Sequence, residues 1–242
     1  MNCILFPTDA PLTLDKDSPK LEHIKKILKT KQDGEVFAGN INGALNICTV
    51  SYNDDGSATL TPVRSANNPY QLEVGIAVSY ARPQIAQRLL FEAACFGVRN
   101  LVFYPATKGE ADYAKSSLYT SGEYKKWLER GAEQACSTFI PNFAYATSLP
   151  DALEKLDDMG EINPVRLAPD PYESTASFNE AFTTYNPVKI DYTNIVLGSE
   201  RGFTNTDRQL LRDNDYILVS LGSRILRTDT ALISVLALIA NA

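Results

Sequence analysis

The sequence contains little of what a metal site or a disulfide framework requires. Its 242 residues include one histidine and four cysteines, which are scattered with no Cys-x-x-Cys pair: Cys3, Cys48, Cys95 and Cys136. Zinc sites use clustered Cys and His ligands, and small disulfide-rich domains use closely spaced cysteines. We therefore expect no bound metal and four reduced cysteines that pack as small apolar side chains.

Long apolar runs are also missing. No stretch approaches the roughly 18 to 20 apolar residues that cross a bilayer, and the start, MNCILFPTDAP, lacks the basic region and apolar core of a cleavable signal. With 44% hydrophobic and 21% charged residues, the composition is that of a globular protein, and we expect a cytoplasmic location. The net charge of −6 excludes a surface built for indiscriminate nucleic-acid binding, although a local basic patch is compatible with it.

The first 66 residues predict a small β-rich unit. Apolar and polar residues alternate over 35–63, and the turns at Asn42-Gly43 and Asp55-Gly56 supply the positive φ that hairpins use. This pattern indicates a small barrel or curled sheet. The polar stretch SANNPY at 65–70 then breaks the pattern, so we place a linker or hinge and the domain boundary there.

From about residue 72 the pattern changes to alternating strands and helices. LEVGIAVSY, NLVFYPA, NIVLG and YILVSLG are typical of buried strands, and PQIAQRLLFEAACFG predicts a helix that stops at Gly97. This alternation predicts an α/β domain with a mainly parallel sheet. Ligands of such sheets usually bind beyond the carboxyl ends of the strands.

Two glycine-ended loops follow predicted strands at that position. GSERGFTNTD follows one strand and GSRILRTDTA follows the other. Thr204 and Asp207 predict a capping box for the helix after the first loop, and Thr228 or Asp229 is expected to cap the last helix. Glycine lets the backbone approach a ligand closely, so the loops predict a pocket, but glycine also follows strands for turn geometry alone. No G-x-G-x-x-G or G-x-x-x-x-G-K-[ST] motif follows any strand, which argues against an unrelated nucleotide-binding enzyme.

These loops resemble the RsmE family, the uridine-N3 methyltransferases of small-subunit ribosomal RNA in the SPOUT superfamily. The family signature is a strand ending in Gly-Pro-Glu-Gly-Gly-Phe, followed by Leu-Gly-x-Arg-Ile-Leu-Arg-x-Glu-Thr-Ala. Here the first reads GSERGF at 198–203 and the second LGSRILRTDTA at 221–231. The family pattern His-x-x-x-Val-Leu-Arg appears as HIKKILK at 23–29, and its Glu-Gln followed by Pro appears as Glu133-Gln134 and Pro141. The chain is identified as a divergent member of this family.

This resemblance implies two domains with an α/β fold. A PUA-like β-barrel is expected over residues 1–67, where it would bind RNA, and a SPOUT-type trefoil-knotted methyltransferase domain over residues 72–242. In such families the knotted loops hold S-adenosylmethionine and the knot packs against a second subunit, so a homodimer is implied. Ribosomal RNA or the small ribosomal subunit is the implied partner.

The resemblance also implies roles for individual residues. The slot for S-adenosylmethionine is expected to use apolar walls, backbone groups and one acidic side chain, from Tyr104, Leu197, Gly198, Glu200, Gly202, Leu221, Gly222, Ile225 and Leu226. Arg227 is the candidate catalytic residue, because a fixed cation near O2 or O4 would stabilise the charge that builds on uridine. The same arginine suits a phosphate contact, a subunit interface or a helix end.

Four residues of the amino-terminal unit are the candidate RNA contacts. The sole histidine and three lysines lie on one predicted helix and its end: His23, Lys25, Lys26 and Lys29. The lysines are expected to neutralise RNA phosphates, although charges at helical spacing also mark an ordinary solvated face.

Several departures from the family pattern leave two functions open. Ser199 and Arg201 replace Pro and Gly in the first loop, and Glu92 and Cys95 replace a Lys and a Glu before the first knot strand. Residues 71–242 contain 16 Lys and Arg against 21 Asp and Glu. The first hypothesis is an active RNA methyltransferase; the second is a dimeric RNA-binding or assembly factor of the same fold that binds the cofactor with little or no turnover.

Overall fold

The computed structural model describes residues 2–185 and 192–241. Parts of the two predicted domain ranges lie outside the described residues, namely Met1, residues 186–191 and Ala242. The described strands are β1 (Cys3–Phe6), β2 (Thr13–Leu14), β3 (Glu35–Asn40), β4 (Asn46–Tyr52), β5 (Ala58–Ser65), β6 (Leu72–Ser79), β7 (Val98–Tyr104), β8 (Asn142–Tyr145), β9 (Val165–Pro169), β10 (Ala176–Ser177), β11 (Thr193–Leu197) and β12 (Ile217–Ser220). The α-helices are α1 (Pro19–Lys26), α2 (Pro83–Cys95), α3 (Ser117–Thr120), α4 (Tyr124–Gln134), α5 (Leu149–Met159), α6 (Phe178–Tyr185), α7 (Asn205–Asp213) and α8 (Thr228–Ala240).

The amino-terminal strands form a mixed five-stranded sheet. The strand order is β1-β3-β4-β5-β2, in which β1 and β3 are parallel and the other pairs are antiparallel. All five strands and α1 contribute to one apolar core. The predicted turns occur where expected, with positive φ at Asn42 and Gly56. In the described part of the chain β1 and β2 do not pair, so hydrogen bonds do not close this sheet into a ring.

The other strands form a seven-stranded sheet with the order β10-β12-β9-β11-β6-β7-β8. Every pair in it is parallel, which confirms the expected parallel α/β arrangement. Side chains alternate between its two faces. One face packs against α2, α4, α6 and α8, and the other against α5 and α7. The carboxyl ends of β12, β9 and β11 therefore lie side by side.

Local signals set the helix ends. The apolar face of α2 is buried as predicted, and Gly97 follows it with φ +74°. The capping box of α7 is also confirmed, because Thr204 accepts from the Asp207 amide and Asp207 accepts from the Thr204 amide. The expected cap of α8 was wrong. Arg227 holds the cap position in extended conformation, and the Asp229 carboxylate lies inside the first turn, where it accepts from Arg88 at 3.2 Å.

The segment between the two sheets is held by side chains. Asn68 donates to the Thr138 hydroxyl at 2.7 Å and accepts from the Thr138 amide at 3.1 Å. Thr138 in turn donates to the Gly43 carbonyl at 2.6 Å. The polar stretch at 65–70 was predicted as a linker or hinge; its first residue, Ser65, ends β5, and Asn68 bonds the loop after α4. Among the described residues, no helix is long and apolar enough to span a bilayer, and no cluster of metal-ligating side chains occurs.

Candidate functional site

Three loops at the carboxyl ends of adjacent strands enclose one cleft. We define the cleft by residues 169–172 after β9, 197–203 after β11 and 221–226 after β12, together with Thr228 and Ala231 of α8. It encloses about 680 Å³ of space, including its open mouth. Its position beyond the strand ends is where open parallel sheets bind ligands. The two glycine-ended loops thus converge on one space, as the sequence predicts.

The loop after β11 is a tight turn that favours glycine at two positions. A Cβ on Gly198 would lie 3.2 Å from Phe203 Cε1 and 3.3 Å from the Gly202 carbonyl carbon. Gly202 has φ +71°, and its amide donates to the Ser199 carbonyl at 2.8 Å. The Ser199 hydroxyl closes the same turn by donating to the Gly202 carbonyl at 3.2 Å. Ser199, a departure from the family pattern, is therefore a structural part of the turn.

The loop after β12 presents backbone groups and apolar side chains. Gly222 has φ +111°, and a Cβ added there would meet no atom within 4 Å. The amides of residues 223–226 donate to no other group in the described ranges 2–185 and 192–241. Ile225 is 69% exposed although its side chain is aliphatic. Free backbone donors beside apolar side chains match a ligand with a flat apolar ring and polar edges.

Residues 169–172 complete the cleft, and sequence reasoning missed them. They begin at the last residue of β9, a strand that was not predicted because Arg166 interrupts its apolar residues, whereas the equally short β11 and β12 have continuous apolar runs. The signal that could have found them is the alternation in VRLA, followed directly by Pro-Asp-Pro. Asp170 is buried, with hydrogen bonds from the amides of Tyr172 at 2.6 Å and Glu173 at 3.0 Å.

Most of the predicted cofactor residues line the cleft. They are Leu197, Gly198, Glu200, Gly202, Leu221, Gly222, Ile225 and Leu226. Tyr104 is instead buried beneath it and donates to the Leu197 carbonyl at 3.1 Å. Burial raises the pKa of Tyr104, so its phenol stays protonated as a donor that fixes the end of β11.

Arginine side chains surround the mouth of the cleft. Arg224 lines the cleft, and within the described residues it has no ion pair. Arg227 lies just outside the lining with its side chain 66% exposed, and its Nε is 3.4 Å from Asp229 Oδ1. Arg201, the second departure in the first loop, bonds Glu110 at 2.8 Å, so its bulk points away from the turn. This edge thus carries three arginines together with the carboxylates of Glu110, Glu200 and Asp229.

The four candidate RNA contacts lie on the five-stranded unit and do not line the cleft. Lys25 is 5.1 Å from the centre of the Tyr52 ring, and Lys26 bonds Glu22 at 2.6 Å. Lys29 follows α1 with φ +53° and is exposed. His23 is half-buried, and its carbonyl accepts from the amide that ends the helix. These residues form a second basic surface, separate from the cleft.

Comparison with known proteins gives a consistent family. The family model described as RNA methyltransferase domain matches residues 68–240. Ribosomal RNA small subunit methyltransferase E 1 of Borreliella burgdorferi is 26% identical over 219 residues, which cover 89% of this chain and 87% of that protein. Ribosomal RNA small subunit methyltransferase E of Treponema pallidum is 26% identical over 253 residues, covering 100% and 92%.

Solved structures share the fold over nearly their whole length. The ribosomal RNA small subunit methyltransferase E of Neisseria gonorrhoeae, solved with bound S-adenosyl methionine, has a TM-score of 0.78 at 16% identity, covering 100% of this chain and 97% of that one. A probable rRNA-methyltransferase from Porphyromonas gingivalis has a TM-score of 0.72 at 16% identity, covering 100% and 98%.

Proposed function

The chain belongs to the RNA methyltransferase domain family, and from that premise we propose that it methylates N3 of a uridine in small-subunit ribosomal RNA with S-adenosylmethionine as methyl donor. The observation that carries this proposal is the cleft, in which the two glycine-ended loops after β11 and β12 meet the loop after β9. Two relatives that match most of the chain are named ribosomal RNA small subunit methyltransferases, which supports the substrate class.

The cleft suits S-adenosylmethionine by its shape and its chemistry. Gly222 adds no side chain to the space, and a Cβ at Gly198 would lie only 3.2 Å from Phe203 Cε1. Leu197, Leu221 and Leu226 would contact the adenine faces, and the free amides of residues 223–226 would bind its polar edges. We assign Glu200, Gly202 and Ile225 to the rest of the cofactor. Tyr104 would act from below by fixing Leu197.

The chemistry requires a deprotonated base. S-adenosylmethionine supplies an electrophilic methyl group, and N3 of uridine has to lose its proton to become a nucleophile. Negative charge then develops on O2 and O4, where a fixed cation stabilises it. We assign that role to Arg227, whose guanidinium is exposed at the mouth of the cleft beside Asp229.

The fold-level expectations form part of the same proposal. Residues 1–67 would be a PUA-like RNA-binding domain whose lysines Lys25, Lys26 and Lys29, with His23, contact the RNA backbone. Residues 72–242 would be a trefoil-knotted SPOUT domain that pairs with a second copy. The placement of β9 between β12 and β11 is compatible with a knotted crossing of these connections.

A second function is favoured by one observation. Two arginines at the cleft mouth already have carboxylate partners, since Arg227 lies beside Asp229 and Arg201 beside Glu110. An arginine that is already paired with a carboxylate stabilises a developing negative charge less well. A dimeric assembly factor that binds S-adenosylmethionine and RNA with little turnover would have such a site.

One methylation experiment in vitro distinguishes the two functions. Small-subunit ribosomal RNA from a strain without the gene is incubated with the protein and S-adenosylmethionine, and uridines are mapped by mass spectrometry. We expect one added methyl group per RNA, at N3. Arg227→Ala should lower turnover about 100-fold with unchanged cofactor affinity. Arg88→Ala is the matched control, because Arg88 shares the Asp229 carboxylate.

A protein that binds S-adenosylmethionine and RNA but adds no methyl group would be the assembly factor. Equal loss of cofactor affinity and turnover in Arg227→Ala would show that Arg227 has a structural role.

A further inference from the structure

Tyr172 is a large aromatic side chain exposed inside the cleft. Its side chain is 63% exposed, and it lines the space between the β9 and β11 loops. Aromatic rings usually bury most of their area, since they carry a large apolar surface. An exposed ring in a concave site is a surface on which another flat ring can stack.

The backbone of Tyr172 is fixed by a buried carboxylate. Asp170 accepts from the Tyr172 amide with one oxygen, at 2.6 Å, and from Arg208 Nε with the other, also at 2.6 Å. The side chain of Asp170 is fully buried and that of Arg208 is 6% exposed. Burying two charges costs desolvation energy, so such a pair is weak evidence for stability and better evidence for a specified geometry.

The ring itself is held from two directions. The guanidinium of Arg208 lies 5.6 Å from the ring centre, in the range of a cation–π contact. On the other loop, a Cβ placed on Gly202 would lie 3.6 Å from Tyr172 Cε2, so the ring edge rests against the glycine turn. Tyr172 therefore bridges the two loops, and its exposed surface faces the cleft.

We propose that Tyr172 is the stacking surface for a nucleobase ring that enters the cleft, with Asp170 and Arg208 as its positioning residues. This inference rests on the proposed function, because that function brings two flat rings to the site: the adenine of the cofactor and the target uracil. Both offer the π-face that stacking requires, and base stacking on an aromatic side chain is independent of base identity.

The test measures the cofactor and the RNA separately, because each of them carries one of the two rings. Calorimetry gives the Kd for S-adenosylmethionine without RNA, and steady-state kinetics give KM for the RNA at saturating cofactor. Tyr172→Ala should weaken one of them about 10- to 100-fold, as loss of one stacked base does. Tyr172→Phe should keep the wild-type value, because the ring is retained. Tyr70→Ala is the matched control, since Tyr70 is 75% exposed but does not line the cleft.

The constant that Tyr172→Ala changes, Kd or KM, identifies which ring stacks on Tyr172. A weaker Kd for the cofactor assigns the stack to adenine, and a raised KM at unchanged cofactor Kd assigns it to the target base. If Tyr172→Ala changes neither constant while its melting temperature matches that of the wild type, the inference is overturned. A wild-type protein that fails to bind S-adenosylmethionine would overturn the proposed function itself.

A separate comparison tests whether Arg208 positions Tyr172. Arg208→Gln should weaken the same constant as Tyr172→Ala, and should add nothing further in the Tyr172→Ala background. A merely structural Arg208 would give the same loss in both backgrounds, which contradicts the positioning role.

Discussion

The cleft and the contact between the two sheets fix atoms by different means. In the cleft, the loops after β11 and β12 are shaped by the main chain, through glycine turns at Gly198, Gly202 and Gly222. At the inter-unit interface, where β1, residues 40–44 and Asn68 meet residues 129–140, side chains add specific bonds to those of the backbone. There Glu133 Oε1 accepts from the Leu5 amide at 3.1 Å and from Lys20 at 3.0 Å.

This difference explains where the sequence is free to vary. A backbone-built site tolerates new side chains that leave the turn intact: the Ser199 hydroxyl closes the first loop, and Arg201 pairs with Glu110. A side-chain-built interface depends on residue identity, because a buried polar group that loses its partner keeps the full desolvation cost. Divergence from the family pattern is therefore less harmful at the cleft than at the interface.

The largest expected effect is at the interface. Glu133→Ala should lower the free energy of unfolding by about 3 kcal/mol, because it leaves the Leu5 amide and a half-buried Lys20 without that carboxylate. Burial raises the pKa of Glu133 and the Lys20 charge opposes the rise, so the pair is tightly interdependent. Urea unfolding measures the change.

Glu22→Ala is the control for this prediction. Glu22 also pairs with a lysine of α1, Lys26, but both side chains are exposed. Its removal should leave the unfolding midpoint unchanged, because exposed pairs contribute little. Equal effects of the two substitutions would mean that the interface is open to water and that the contrast with the cleft is wrong.

The second effect concerns the cleft. Gly222→Val should weaken S-adenosylmethionine binding about 100-fold, or about 2.7 kcal/mol, because it strains the backbone at φ +111° and fills the ligand space. Calorimetry measures the affinity. Gly122→Val is the matched control, because Gly122 also has positive φ, +78°, with no atom near a Cβ, but lies outside the cleft.

Both glycine variants should lose similar stability, and only Gly222→Val should lose affinity. If Gly122→Val reduced affinity as much, the glycines would act through general stability, and the cleft would have no special dependence on its backbone.

The same contrast decides what could be predicted from the sequence. The loops after β11 and β12 were predictable because glycine, strand and helix cap are consecutive in the chain, as at Gly198 and Thr204. The Glu133 contact was not, because it joins residues 128 positions apart and leaves no local pattern. The β9 loop was missed for a third reason, namely that Arg166 interrupts the apolar residues of its strand, which therefore lacks the continuous apolar run of β11 and β12.

The smallest expected effect is a difference in thiol reactivity, which reports on the inter-unit interface. Cys136 follows α4 with φ +55°, and its interaction with the thiol of Cys3 lowers the pKa of Cys136 to about 7. Cys95 is equally half-buried, but burial raises its pKa to about 12. The thiolate is the nucleophile in alkylation, so at pH 7.5 iodoacetamide should modify Cys136 at least about 10-fold faster than Cys95.

The alkylation rates of Cys136 and Cys95 should also depend differently on pH. A lowered pKa means that the thiolate is already formed near neutral pH, so the Cys136 rate should rise through pH 7 and level off by pH 8, whereas the Cys95 rate should still be rising at pH 9. Peptide mass spectrometry after timed quenching measures both rates in one sample. Cys3→Ala removes the neighbouring thiol and should shift the Cys136 profile to higher pH. An unshifted profile would mean that the two thiols do not meet, and that β1 is held against α4 by Glu133 and the backbone alone.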